Sequence, residues 1–287
     1  MRIAYLGPEG TFSEEAALAQ AGREGGADVI GYPSIPEAVA AVEAGDVDEA
    51  IVPIENALEG TVSTTVDLLI HDTDLKIRAE LLLPVRHMLA GIPGSRLDEI
   101  RVVLSHPQAL GQCRAFLRQR LPEAEQVAAL STAAAVATVM REGDRSVAAI
   151  GPKRAVDLYG AVVLAADVQD AANNVTRFFV LARDDAQPTG RDRTSLCFSV
   201  KRNVPGAIHE VLTDLADLHI QMTKIESRPM KSALGDYYFL IDIEGHRRDP
   251  VVAEMLRRIA TKTAQLKVFG SYPRDELAIS GSRIPRV

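Results

Sequence analysis

The stretch Asn173-Asn174-Val175-Thr176-Arg177-Phe178-Phe179-Val180-Leu181 joins two amides, a hydroxyl and a guanidinium to an apolar run. A hydroxyl can lend a proton, amides can hold oxygens, and a guanidinium can grip a carboxylate as a fork. Phe178 to Leu181 reads as a short buried strand. The polar lead-in therefore stands at the edge of a core. A plain strand entry with a surface arginine is the structural alternative.

Other candidates lie at the ends of predicted strands. Glu55 and Asn56 follow Pro53, which cannot donate a ladder bond and so ends a strand. That is the carboxyl end, where α/β sheets place ligands; a buried pair holding the loop is the competing reading. Thr11 with Glu14 has capping-box spacing after the turn Gly7-Pro8-Glu9-Gly10. Free N–H groups at such a helix start can seat an anion, here beside Thr11 and Ser13. Neither a phosphate-binding Gly-Lys-Ser/Thr loop nor a Gly-x-Gly-x-x-Gly fingerprint is present. Ser105 suits an N-cap before Pro107, and Ser131-Thr132 another. Gln108 and Gln112 are four apart and share a helix face. His106 reads as a turn residue.

These residues need a scaffold. Strands are expected over Arg2–Leu6, Asp28–Tyr32 and Glu49–Val52, each followed by a helix, and βα units recur from Ile100 to Ala166. Alternating βα units imply largely parallel sheets with covered faces. Two such lobes with their ligand ends facing would make a cleft. The crossovers near Ile77–Glu80 and Ala165–Asn173 would form its hinge. Beyond the polar run Arg183–Gly190, the order β-α-β-β-α-β is ferredoxin-like. The expected division is a catalytic part over about 1–183, with lobe 1 at 1–77 and 168–183 and lobe 2 at 78–167. A linker at 184–192, a smaller domain at 193–273 and a tail at 274–287 follow.

Composition narrows the class. The 287 residues suit two domains on the prior of roughly 100–200 residues each. A net charge of −7 and the lack of basic runs disfavour nucleic acid or an anionic membrane. Two distant cysteines, Cys113 and Cys197, and scattered histidines support neither a disulfide framework nor a metal site. A reducing cytoplasm fits.

Taken in order, these pieces resemble monofunctional bacterial prephenate dehydratase with a C-terminal ACT regulatory domain. The motifs are Gly7-Pro8-Glu9-Gly10-Thr11-Phe12-Ser13, Val52-Pro53-Ile54-Glu55-Asn56, Ser105-His106-Pro107-Gln108 with Gln112, Thr176-Arg177-Phe178, Glu226-Ser227-Arg228-Pro229 and Gly206-Ala207-Ile208. The last departs slightly, with Ile208 where the family usually has leucine. No chorismate mutase segment precedes the first strand, so the monofunctional form is expected. The resemblance implies a type II periplasmic-binding-protein-like catalytic fold plus a ferredoxin-like ACT domain. It also implies decarboxylative dehydration of prephenate to phenylpyruvate, with no cofactor and no metal.

It further implies Thr176 as proton donor with Arg177 polarising the site, and Asn56, Ser105 and Gln112 as catalytic positioners. Thr11, Ser13, Glu55, Thr132, Asn174 and Phe178 are the expected substrate neighbours, Glu55 as a support for the loop or for Arg177. L-phenylalanine is the expected effector, at Gly206, Ala207, Ile208, Glu226, Ser227, Arg228 and Pro229, in a homo-oligomer built through ACT domains. The same motifs would serve arogenate as substrate. A two-lobed sensor without catalysis is the rival of a different class.

Overall fold

A computed structural model describes residues 1–230 and 236–275. Part of the expected loop at Pro229–Gly235 and most of the expected tail lie outside the described residues. By contacts the chain falls into two compact units, Met1–Val62 with Leu82–Phe178, and Ser63–Leu81 with Phe179 onward.

The first unit opens with β1 (Arg2–Leu6), α1 (Phe12–Arg23), β2 (Asp28–Tyr32), α2 (Ile35–Ala44), β3 (Glu49–Asn56) and the short β4 (Gly60–Thr61). Strand β1 pairs in parallel with β2 and β3, and β4 folds back on β3. Local chemistry sets the helix limits. Thr11 and Ser34 cap the N-termini of α1 and α2, and Gly45 ends α2 at φ +85°, a conformation that costs glycine nothing.

The chain then runs through α3 (Ser63–Asp67), a π-helical turn at Leu68–Asp72, and β5 (Lys76–Pro84). A second sheet follows, with β6 (Met88–Gly91), β7 (Val102–Ser105), α4 (Pro107–Gln112), α5 (Arg114–Arg120), β8 (Glu125–Ala128), α6 (Thr132–Glu142), β9 (Val147–Gly151), α7 (Lys153–Tyr159) and β10 (Val162–Ala165). The return strand β11 (Val175–Ala182) carries Thr176, Arg177 and Phe178.

The first sheet has the order β2-β1-β3-β11-β5, and the second β10-β6-β9-β7-β8. Read from β8, the second repeats the pattern of the first: second strand, first, third, then a strand from a crossover, then one more. Two α/β lobes thus share one plan. Strand β9 is buried along its whole length, and Ala133, Val136, Val139 and Ala149 lie in one apolar cluster of the second lobe. The N-cap of α6 is Ser131, so Thr132 is its first helical residue rather than a cap.

In the second unit, β12 (Asp192–Val200), α8 (Ala207–Asp217), β13 (Met222–Pro229), β14 (Tyr237–Glu244), α9 (Pro250–Lys262) and β15 (Thr263–Pro273) form the ferredoxin-like βαββαβ, with sheet order β13-β14-β12-β15. Its core holds Leu196, Phe198, Val211, Leu215, Ile241, Met255 and Ile259. Residues 63–81 belong to this unit. Lys267 Nζ donates to the carbonyls of Ile70 and Thr73, at 3.3 and 2.7 Å, covering acceptors that the π-helical turn leaves over. Buried Glu80 pairs with Arg193 at 2.6 Å. The polar run after Ala182 is anchored, since Asp185 is buried, pairs with Arg247 at 2.7 Å and accepts the Ser271 N–H.

Gly151, at the end of β9, lies against α6. A Cβ there would stand 2.6 Å from Val136 Cγ2 and 3.1 Å from the Thr132 carbonyl. Gly151→Ala is expected to destabilise the protein by about 1–3 kcal/mol through overpacking, read as a lowered urea midpoint. An unchanged midpoint would mean that α6 yields freely.

Candidate active site

A cavity of about 500 Å³ opens between the carboxyl ends of the two sheets. Its wall takes Asn56, Glu59, Thr61 and Thr176 from the first lobe, and His106, Gln108, Gln112 and Thr132 from the second. Phe12 and His87 complete it.

Asn56 organises this wall. Its Oδ1 accepts the backbone N–H groups of Leu58 and Glu59, at 3.0 and 3.1 Å. That turn fixes which way the amide points, so both hydrogens of Nδ2 face the return strand. One reaches Thr176 Oγ1 at 2.9 Å, the other Asn174 Oδ1 at 2.8 Å. Asn174, only 1% exposed, passes the same sense onward, and its Nδ2 donates to Gln112 Oε1 at 3.2 Å. Gln112 Nε2 in turn donates to Glu59 Oε1 at 3.1 Å. The chain of amides therefore begins at a backbone turn and ends at a carboxylate, and it joins the two lobes. Its consequence for Thr176 is direct. The oxygen already accepts from Asn56, so its own hydrogen is left to donate.

Strand geometry separates Arg177 from Thr176. Successive side chains of β11 point to opposite faces. Arg177 is 9% exposed, lies outside the cavity wall, and faces Glu55 at 3.9 Å. The expected polarising arginine is thus a buried partner of Glu55 in this structure. Phe178 is core, 1% exposed. Ser105 is fully buried and donates to the Ile150 carbonyl at 2.6 Å, so its hydrogen is committed between β7 and β9. The α4 cap belongs to His106, whose Nδ1 accepts from Gln108 N.

The glycine loop before α1 has a different task from the expected anion seat. The Thr11 hydroxyl donates to the Pro8 carbonyl at 2.9 Å and caps Glu14 N. Ser13 is buried, and neither residue lines the cavity; Phe12 between them does. Glu14 fills the seat itself. Its carboxylate accepts Gly10 N at 2.5 Å and pairs with Arg154 of α7 at 2.9 Å. Glu15 accepts Arg154 N at 3.2 Å. Gly10 has φ +83°, and a Cβ on it would meet Ala155 at 3.1 Å and Ala133 at 3.3 Å. The loop of one lobe is clasped to two helices of the other.

Burial alone would raise the Glu14 carboxyl, but Arg154 and the Gly10 N–H outweigh it and hold it below the usual range. Burial pushes the Cys113 thiol up to about 12, with Asp170 adding to it, so the thiol on the Gln112 segment is unreactive. Among the described residues no group of three or more His, Cys, Asp or Glu is placed to hold a metal ion. Among them, too, no helix is long and apolar enough to cross a membrane.

In the βαββαβ unit, Gly206 is the exposed N-cap of α8 at φ +87°, with Ala207 and Ile208 opening the helix. Glu226, Ser227, Arg228 and Pro229 end the edge strand β13. Arg228 pairs with Asp67 of α3 at 3.2 Å.

A prephenate dehydratase family model matches residues 3–186, and an ACT domain model matches residues 194–261. The chain belongs to the prephenate dehydratase family. It is 42% identical over 289 residues to a prephenate dehydratase of Mycolicibacterium vanbaalenii, covering 96% of this chain and 92% of that one. A solved prephenate dehydratase from Arthrobacter aurescens, in complex with L-Phe, is 36% identical with a TM-score of 0.87, covering 96% and 90%. A solved structure described as a novel type of quorum-quenching acylase, GqqA, is 30% identical with a TM-score of 0.85, covering 96% and 98%.

Family motifs had pointed to Thr176, Asn56 and Gln112, which the structure brings together with Asn174. Glu59, His87, Phe12 and the Glu14–Arg154 pair were missed. The signal for His87 was the polar pair Arg86-His87 between the apolar stretches Leu81–Leu83 and Met88–Ala90.

The clasp gives a pH test. A carboxyl whose folded pKa is depressed stabilises fully above its unfolded value, near 4.3, and loses this as pH falls through the folded value. The stability gap between the wild type and Glu14→Gln is expected to close as pH falls from about 5 to about 3. A gap constant across that window in urea titrations would mean that the ion pair contributes nothing.

Proposed function

We propose that the chain converts prephenate to phenylpyruvate, water and CO2, with Thr176 as the group that assists departure of the hydroxyl. The supporting observation is the direction of the Asn56 hydrogen bond, which leaves the Thr176 hydrogen for a ligand. The electron pair of the ring–carboxylate bond enters the ring as CO2 leaves. The ring becomes aromatic as the hydroxyl leaves, and one proton is taken up to make water. Aromatisation supplies the driving force, so the protein need only bind, orient and stabilise the departing oxygen. Threonine is a weak acid, and its hydrogen bond acts as charge builds on that oxygen.

Gln112 and Gln108, donors on α4, suit the carboxylate or keto oxygens of the substrate. Glu59, a carboxylate on the same wall, takes one hydrogen from Gln112 and would repel a misplaced substrate carboxylate. The acylase activity named for one structural relative needs an activated nucleophile. The Thr176 oxygen instead accepts a hydrogen bond, which favours donation over attack.

We further read the ACT part as the seat of an L-phenylalanine response, in an oligomer of two or more chains. Strand β13 carries exposed Ile225 and lies at one end of the sheet order among the described residues. With reducing-compartment cysteine usage, a cytoplasmic site of action fits.

Thr176→Ala is expected to lower kcat about 10²–10⁴-fold, on the scale of a lost general acid, with KM little changed. Ultraviolet detection of phenylpyruvate measures it. Near-normal turnover by the folded variant would remove the role, and a higher kcat/KM on arogenate would reassign the substrate.

Ser227→Tyr, on an exposed position of β13, is expected to abolish the phenylalanine response while kcat without effector stays within about twofold. An intact response would exclude that strand as the effector site. Light scattering that shows a monomer with phenylalanine present would exclude the oligomer.

A further inference from the structure

We propose that His87 is a positioning residue: its ring, carrying the proton on Nε2, holds the Gln112 amide with its NH2 group turned to the cavity. This rests on the dehydratase reading above. Gln112 Oε1 meets His87 Nε2 at 3.0 Å and Asn174 Nδ2 at 3.2 Å, while Gln112 Nε2 meets Glu59 Oε1 at 3.1 Å. The reversed amide would set its oxygen against a carboxylate and its NH2 against the Asn174 donor. Asn174 and Glu59 therefore identify which end of the amide is the oxygen, and the imidazole that holds that oxygen must donate from Nε2.

That assignment leaves Nδ1 bare. The ring is 2% exposed, and Nδ1 is buried without a hydrogen-bond partner among the described residues. An apolar side chain of the same volume would avoid the cost of that unpaired acceptor. A buried orphan in a native fold calls for a reason, and the Nε2 bond supplies one.

The ring is also held from other sides. Phe12 meets it edge-on, with centroids 5.5 Å apart and planes at 79°. The His87 N–H donates to Gln169 Oε1 at 2.8 Å, and its carbonyl accepts Val168 N at 3.0 Å. His87 thus sits where the two crossover segments meet, fixed in backbone and ring. Burial pushes its pKa below the ordinary histidine value, and the Gln112 bond offsets this only in part, so the ring is neutral at pH 7. With one Gln112 hydrogen on Glu59, the other becomes a fixed donor for a carboxylate or keto oxygen of the substrate.

The test compares His87→Phe, which keeps the ring and loses the donor, with His87→Gln, which restores an N–H at similar reach. His87→Phe is expected to lower kcat/KM on prephenate at least about tenfold, the scale of one hydrogen bond. His87→Gln is expected to recover it to within about threefold. The double variant His87→Phe/Gln112→Ala should be no slower than Gln112→Ala alone, because the two act as one unit. Wild-type rates in His87→Phe, or losses that simply add, would overturn the proposal.

A readout without turnover accompanies these. The 15N spectrum of histidine-labelled wild type, with His87→Gln identifying the resonance, should show the neutral Nε2–H form at pH 7. An imidazolium or an Nδ1–H form overturns the proposal even if both variants are slow. Wild-type protein with the expected spectrum but no phenylpyruvate formation sinks the dehydratase reading and leaves the Gln112 geometry standing.

Discussion

The two backbone N–H groups that end on Asn56 Oδ1 are a small constraint on which the active cavity depends. A primary amide offers donors on one side and an acceptor on the other, so fixing one end fixes both. From Asn56 the sense passes to Thr176 and Asn174, and from Asn174 to Gln112. Glu59, which can only accept, closes the chain with the same sense. Two independent anchors agree, and an unreactive hydroxyl becomes an oriented donor. Only Asn174 in this chain of hydrogen bonds is buried, and its members come from both lobes and the return strand.

The second demand is that the lobes hold this registration. The Gly10 loop lies so close to α6 and α7 that a side chain would press on both, and Glu14 meets Arg154 beside it. Apolar contact sets the distance, and the ion pair sets the angle. Because Glu14 is almost wholly buried while Arg154 is half open, removing Arg154 would strand a charge, whereas the reverse would not. Such asymmetry means that the loss of either partner has a different cost.

Much of this was legible beforehand. Alternating βα units and the capping residues gave the two lobes and the ferredoxin-like unit, since each rests on local chemistry; the expected break at Pro53 does not occur, because β3 runs through it to Asn56 and pairs there with β4. The family motifs supplied Thr176, Asn56 and Gln112. What the sequence hid was direction. Thr176 and Arg177 are adjacent, yet strand alternation sends one to the cavity and the other to Glu55. Ser105 looked like a helix cap, but its hydroxyl crosses to Ile150, 45 positions away. The Glu14–Arg154 pair spans 140 positions, and no local pattern announces such a contact. His87 was hidden beside Arg86, because a polar pair between two apolar runs reads as a solvated turn.

The shared plan of the two sheets sets an order of events on the ribosome. All five strands of the second sheet lie between Met88 and Ala165, so that lobe can close as soon as those residues have emerged. The first sheet begins at Arg2, yet β3 waits for β11, which ends at Ala182. The lobe synthesised first is thus finished last. In the interval the β3 edge lacks its β11 partner in the nascent chain, the kind of open strand edge that partly formed units present. The segment Asn173–Leu181 closes that interval and brings the Thr176 hydroxyl to the cavity in the same movement, so a chain that stalls before it lacks both the closing strand and that hydroxyl.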